Sequence, residues 1–326
     1  MNSFGRIFKV MIFGESHGPY IGVTIDGCPP GISINEDIFR HDLNRRKGGQ
    51  PGATERAEQD EPEIVSGVFN AFSTGAPLTI LFKNSETRSK DYEKIKDTPR
   101  PGHADYALWK KYKGFNDYRG GGFSSGRLTV GLVTAGVIAK KIINPVTIEA
   151  ELTEAGGNID IQGAIEQAKN ENDSIGGKIT CRITDAPAGW GEPLFNSVES
   201  VISHAMFSIP GIKAIEFGDG IQSATMKGSE YNDEIIDSKG KTTTNHTGGI
   251  NGGITNGNEI VFTVYIRPTA SIGKSQKTID IKTGKPAIIE IEGRHDTCIA
   301  LRMPVIIEAV AAITLADLKF INLRIS

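Results

Sequence analysis

Sulfur is scarce in this chain, which has three cysteines in 326 residues. Cys28, Cys181 and Cys298 are odd in number and widely spaced. That pattern excludes a disulfide framework and the ligand spacing of a metal site, and it points to a reducing compartment. Charge of one sign is also lacking. With 36 Lys and Arg against 39 Asp and Glu, the net charge is −3. No overall field is left to grip a polyanion, so nucleic acid is not the expected partner. Nowhere do the ~18 consecutive apolar residues of a membrane span occur. The opening Met1-Asn2-Ser3-Phe4-Gly5-Arg6 has neither the apolar core nor the cleavage site of a secretory signal. The expected location is therefore cytoplasmic, with no membrane partner. Low-complexity linkers are missing too, so residues 1–326 are expected to form a single domain.

What the chain has in excess is glycine, 39 residues, well above the usual ~7%. Apolar residues make up 38%, enough for a large core. The pattern predicts strands at 6–13 and 21–26, with Gly27-Cys28-Pro29-Pro30-Gly31 as a rigid turn. A helix follows Asn35, and a polar loop runs over 48–62. Residues 128–143 are apolar on almost every side, which predicts a central, buried helix. Strands are expected at 146–152, 178–184, 214–217 and 260–266, and helices at 161–170 and 197–207. A last buried helix is expected over 304–315, with Pro304 in its permitted first turn. A glycine-rich loop and a buried helix in each half suggest pseudo-symmetric halves.

Four short segments carry chemistry. Gly14-Glu15-Ser16-His17-Gly18 matches the G-x-S-x-G pattern of a serine hydrolase, with Ser16 as nucleophile. That elbow needs a helix after the serine, yet residues 19–26 read as a strand, so the hydrolase is the second reading. Arg100-Pro101-Gly102-His103-Ala104-Asp105 puts a cation, an imidazole and a carboxylate in one turn. Gly120-Gly121-Gly122-Phe123-Ser124-Ser125-Gly126-Arg127 leads into the buried helix, where glycines allow close backbone approach to an anion. Ser124 or Ser125 could equally cap that helix. Arg294-His295-Asp296 precedes Cys298 and the last helix.

Together these segments resemble the chorismate synthase family. The resemblance rests on Phe13–Gly18 with Asp26–Gly31, on Asp117-Tyr118-Arg119-Gly120-Gly121-Gly122 through Arg127, and on Arg294–Cys298 through Glu308-Ala309. Asn245-His246-Thr247-Gly248-Gly249-Ile250 and Arg267-Pro268-Thr269-Ala270-Ser271-Ile272 add to it, so that it spans the chain in order.

The resemblance implies an α+β fold, a β-α-β sandwich in which two antiparallel sheets enclose a layer of helices, assembled as a homotetramer. It implies loss of phosphate and a ring proton from 5-enolpyruvylshikimate 3-phosphate to give chorismate, with reduced FMN required and no net redox change. His17 and His103 would be the catalytic histidines, suited by an imidazole pKa near neutrality. Asp296 would be the base acting beside the flavin, with Ser16 and Ser125 assisting. Arg46, Arg100, Arg127 and Arg294 would clamp the substrate's carboxylates and phosphate. The flavin would lie along Phe123, Ser124, Ser125, Pro210, Gly211, Gly252, Arg267, Pro268, Thr269, Ala270, Ser271 and Arg294. Arg46 also matches a position the family assigns to NADP. Many relatives carry Arg where this chain has Phe123, and another near Gly52, which weighs against NADP here. An external flavin reductase is the expected partner.

Overall fold

The computed structural model describes residues 2–48, 52, 59–85, 92–93, 95–291 and 296–325. Strands β1 (Ser3–Phe4), β2 (Lys9–Gly14) and β3 (Tyr20–Asp26) come first, then helix α1 (Asp37–Arg46). β4 (Glu63–Ser66), the small hairpin β5 (Val68–Phe69) and β6 (Phe72–Ser73), and β7 (Leu78–Lys83) follow. These give an antiparallel five-stranded sheet in the order β1-β2-β3-β7-β4. The register of β3 and β7 sets Ile21, Val23 and Ile25 against Phe82, Ile80 and Leu78. All six are fully buried, each contributing roughly 1.5–3 kcal/mol from area removed from water.

Next come α2 (Asp105–Lys111), α3 (Thr129–Ile143), β8 (Thr147–Ala155), α4 (Ile161–Asn170), β9 (Gly177–Thr184) and α5 (Val198–Met206). The chain continues through β10 (Ile212–Phe217), α6 (Gly228–Tyr231), β11 (Ile250–Asn251), β12 (Ile254–Thr255) and β13 (Ile260–Ile266). The hairpin β14 (Gln276–Ile279) and β15 (Pro286–Ile289) precedes the last helix, α7 (Pro304–Ile325). A second antiparallel sheet has the order β10-β13-β9-β8.

The fold is thus mixed helix and sheet, of the expected α+β class. α3 packs on β2 and β3, α7 packs on β8 and β9, and the two helices pack on each other. This is why both sequences are apolar all round. Their contact is close because of Gly136, where a Cβ would sit 2.3 Å from that of Ala309. No other residue type leaves room there.

The strand expected over 146–152 runs on to Ala155, and that expected over 214–217 starts at Ile212. Two further boundaries change. The strand expected over 6–13 begins only at Lys9, because residues 6–8 form the bend that separates β2 from β1. The last helix runs ten residues beyond the expected 315, to Ile325. Both corrections have one cause. Asp317 interrupts the apolar pattern of α7, yet it is buried, because its carboxylate accepts the backbone N–H groups of Arg6, Ile7 and Phe8 at 2.7–3.0 Å. The polar residue that would end a buried helix in sequence holds the bend in the first strand. Helix α2, strands β4 and β7 and the β14–β15 hairpin had no distinct sequence expectation.

Candidate active site

The long loop between α2 and α3 holds the three consecutive glycines, and all three have positive φ. The backbone thereby turns inward between two loops that each carry a histidine. A Cβ on Gly120 would lie 2.7 Å from the Ser16 hydroxyl and 2.8 Å from His17 Nε2. One on Gly121 would lie 3.3 Å from His103 Cε1. Only glycine passes between these groups, so the triple glycine brings together residues 17 and 103, far apart in sequence. Ser16 N–H donates to the Gly122 carbonyl at 3.2 Å, fastening the first loop to the second.

Ser16 lies in the turn between β2 and β3. A strand follows it, not a helix, so the nucleophile-elbow reading fails and the hydrolase alternative has no support. The Ser16 side chain is buried, and among the described residues its hydroxyl has no hydrogen-bond partner. Ser125 accepts the Arg127 N–H at 3.3 Å and so caps the turn that leads into α3.

Below the glycines is a cavity of about 820 Å³. Arg46, His103, Phe123, Ser124, Ser125, Arg127, Pro210, Gly211, Arg267, Thr269, Ala270, Ser271 and Asp296 all line it. Ser16, His17, Arg100, Pro268 and Gly252 are not on its wall. The first three stand just behind it. Pro268 lies between two wall residues, and its carbonyl accepts from Arg267 Nη1 at 2.8 Å. Gly252 lies apart, at the turn of the β11–β12 hairpin. Arg294 falls outside the described residues.

At one end of the cavity charge is concentrated. Arg46, on the last turn of α1, donates to Asp60 at 2.5 Å, and Arg127 pairs with the other oxygen of the same carboxylate. These three side chains are 5%, 0% and 4% exposed (Arg46, Asp60, Arg127). Burial works against ionisation of Asp60, but the two guanidinium groups outweigh it and hold its carboxyl below the ordinary range. Asp296 accepts from Arg302 Nη2 at 2.8 Å. Arg302 also lines the cavity. Among the described residues, Arg46 Nε, Arg302 Nε and Thr269 Oγ1 are buried without hydrogen-bond partners. Such donors are costly to leave unmet. The other end is apolar, with Phe4, Ile12, Leu132, Ile306 and Val310.

Behind the wall residues His103 and Ser271, Arg100 reaches Asp105 through Nε at 2.8 Å and through Nη2 at 2.9 Å, and it reaches the buried Ser271 through Nη1 at 3.1 Å. His103 Nδ1 is 2.6 Å from Asp105. Burial raises the Asp105 carboxyl, but the hydrogen bonds from Arg100 and His103 prevail and hold it far below the ordinary range. Tyr92 stands edge-on to His17, with ring centres 5.1 Å apart, and under the Arg100 guanidinium at 5.9 Å.

Four residues at this site were not singled out by the sequence: Asp60, Tyr92, Arg302 and, as a functional group in its own right, Asp105. Asp105 had a signal, because it sits two residues after His103 in a six-residue turn. Asp60, in a polar loop with φ of +51°, had none. Gly52, near which relatives carry an arginine, has a structural task instead. Its carbonyl accepts the N–H groups of Thr297 and Cys298 at 3.0 and 3.2 Å, and a Cβ would strike Ile165.

A sequence profile described as chorismate synthase matches residues 8–320. A chorismate synthase of Chitinophaga pinensis is 56% identical over 325 residues, which cover 99% of this chain and 98% of that one. One of Korarchaeum cryptofilum is 42% identical, covering 96% of each chain. A solved chorismate synthase crystal structure superposes with a TM-score of 0.74 at 24% identity, covering 97% of this chain and 92% of that chain.

Proposed function

The chain belongs to the chorismate synthase family, and from that premise we infer that it is a lyase that removes phosphate to give chorismate. The finer reading is an elimination from 5-enolpyruvylshikimate 3-phosphate. The allylic C–O bond to phosphate breaks, a ring C–H bond breaks and a C=C bond forms, so phosphate and a proton leave with no net redox change. One observation carries this reading: residues 46, 103, 123–127, 267, 269–271 and 296, scattered through the sequence, line one cavity.

The proposed roles follow from chemistry. The substrate bears two carboxylates and a phosphate. Arg46 and Arg127 share the Asp60 carboxylate and both line the cavity, where such an anion would meet them. Their planar forks suit phosphate and carboxylate oxygens. His17 and His103, either side of Gly120 and Gly121, are the groups that can hold or give a proton near neutral pH. Asp296 is the carboxylate on the wall available to accept one, with Arg302 orienting it. Ser16 and Ser125 donate supporting hydrogen bonds.

The residues fit a reduced FMN. Arg267, Thr269 and Arg302 line the cavity with donors for a polar rim or phosphate, and its apolar side chains would take a fused ring. Residues 123–125, 210–211 and 267–271 would hold it, and when bound it supplies transient electron density to the breaking C–O bond. Arg46 is assigned to the substrate rather than to NADP. We further propose one domain with pseudo-symmetric halves in a β-α-β sandwich, a homotetramer, a cytoplasmic location and an external flavin reductase. In line with this, no described helix is long and apolar enough to cross a membrane.

The test is anaerobic incubation with 5-enolpyruvylshikimate 3-phosphate and photoreduced FMN, following chorismate absorbance. Turnover that needs reduced FMN without consuming it stoichiometrically is expected. Equal activity with oxidised FMN would overturn the cofactor reading, and no chorismate under any flavin state would overturn the reaction.

A further inference from the structure

We propose that Asp105 is a positioning residue that fixes His103 in a single tautomer, with Nδ1–H bound to the carboxylate and Nε2 as the nitrogen left for proton exchange. Arg100 belongs to that assembly rather than to direct anion binding. The proposal rests on the reading of His103 as a catalytic histidine.

His103 Nδ1 has two polar neighbours, Asp105 Oδ1 at 2.6 Å and Arg100 Nη2 at 3.1 Å. The nitrogen cannot satisfy both in the same way. Accepting from arginine would leave its lone pair 2.6 Å from a carboxylate oxygen that also has only lone pairs to offer. Donating to that oxygen removes the clash, and Arg100 Nη2 then has Asp105 Oδ1 itself as acceptor at 2.9 Å. The shorter contact decides the tautomer, as the hydrogen bond made by one ring nitrogen sets the state of the other. Nε2 then lies beside Gly121, where even a methyl group would crowd the ring edge.

Arg100 and Asp105 are held as firmly as the ring. The Asp105 carboxylate accepts from Arg100 Nε, from Arg100 Nη2 and from the Arg100 backbone N–H at 3.1 Å, all while largely buried. Arg100 Nη1 is bound to Ser271, and its face rests over Tyr92. With its three side-chain nitrogens engaged on protein groups and only 7% exposed, Arg100 acts on the reaction through His103. A fork fixed in this way, at the start of a seven-residue helix, orients the carboxylate that orients the imidazole.

The decisive measurement is nitrogen NMR on protein labelled with ¹⁵N-histidine. The chain has six histidines, and the His103 signals are those lost in His103→Gln. At a pH where the ring is neutral, His103 should be protonated at Nδ1, opposite to the tautomer free imidazole side chains favour. This reading needs no change to the chain at the site. Asp105→Asn should move His103 toward the Nε2–H form and lower kcat by roughly 10²–10⁴-fold, the range for a mispositioned acid–base group, with KM within about threefold. An Nε2–H tautomer in the unaltered protein would overturn the proposal. So would a retained Nδ1–H tautomer in a folded Asp105→Asn protein. Full turnover by His103→Gln with the Nδ1–H tautomer present would instead overturn the catalytic reading of His103 and leave the positioning intact.

Discussion

Arg45 and Arg46 are neighbours on the last turn of α1, and they belong to opposite kinds of structure. Arg45 grips Glu308 of α7 with two hydrogen bonds of 2.7 and 2.6 Å. Lys140 of α3 joins Glu308 at 3.1 Å and Asp42 at 2.7 Å, and the backbone N–H of Ala150 in β8 donates to Glu308 at 3.2 Å. Two cations meet two carboxylates, and four elements are tied together. One residue on, about 100° around the helix, Arg46 turns into the cavity and shares Asp60 with Arg127. There both cations hold one carboxylate at the wall of the cavity. The first group joins elements to one another, and the second borders the candidate site. Position relative to the cavity separates scaffold from site more clearly than residue type does.

The comparison is broken most severely at Glu308. Replacing it with alanine leaves Arg45 and Lys140, which are partly exposed, without the buried carboxylate they share, and the loss of these charged hydrogen bonds is expected to cost about 2–3 kcal/mol. Urea unfolding should register that loss, while turnover per folded molecule stays within about twofold. At Arg46 the pattern should reverse. Arg46→Gln removes a charged hydrogen-bond donor worth about 1.5–3 kcal/mol to an anion, so kcat/KM should fall roughly tenfold to a hundredfold. Its unfolding midpoint should hold or rise, because one buried positive charge has gone. If Arg46→Gln unfolds the protein with its activity per folded molecule intact, the two clusters are both scaffold and the contrast fails.

A smaller effect tests the carboxylates through pH. Asp42, Asp60 and Asp105 all have folded pKa values below the ordinary 3.8. Each therefore adds stability that is fully present above about pH 4–5 and is lost as pH falls through its folded value. Stability should decline on acidification below that range. Asp60→Asn and Asp105→Asn should each flatten the decline, read as unfolding midpoints between roughly pH 5 and pH 2. An unchanged slope in both variants would mean that neither carboxylate is ionised and paired as described.

How legible was all this in the sequence? The buried helices α3 and α7 were plain, because a segment apolar on every side has only one place to go. The strand from Ile260 to Ile266 was legible to the residue. The histidines, the triple glycine and Asp296 were visible as motifs, and their resemblance to a family supplied roles that composition alone could not. Asp60 stayed hidden because a lone aspartate in a polar loop looks like any solvated turn. Its meaning lies in two arginines 14 and 67 positions away in the chain. Arg302 is hidden for a related reason: it stands six positions after its partner, Asp296, and no sequence pattern pairs them. The end of α7 was misread at Asp317, where the partner groups lie more than 300 residues upstream. Periodicity reports which face is apolar. It does not report which distant N–H will meet a carboxylate.

That carboxylate has a consequence in time. Residues 6–8 are translated about 310 positions before residue 317. Throughout that interval the three N–H groups at the bend between β1 and β2 have only water for company, and the edge of the amino-terminal sheet lacks its clasp. This segment is thus made well before it can be secured. Such long-range closure slows folding, and the nascent amino-terminal half must be kept from pairing with other chains until α7 has emerged and docked.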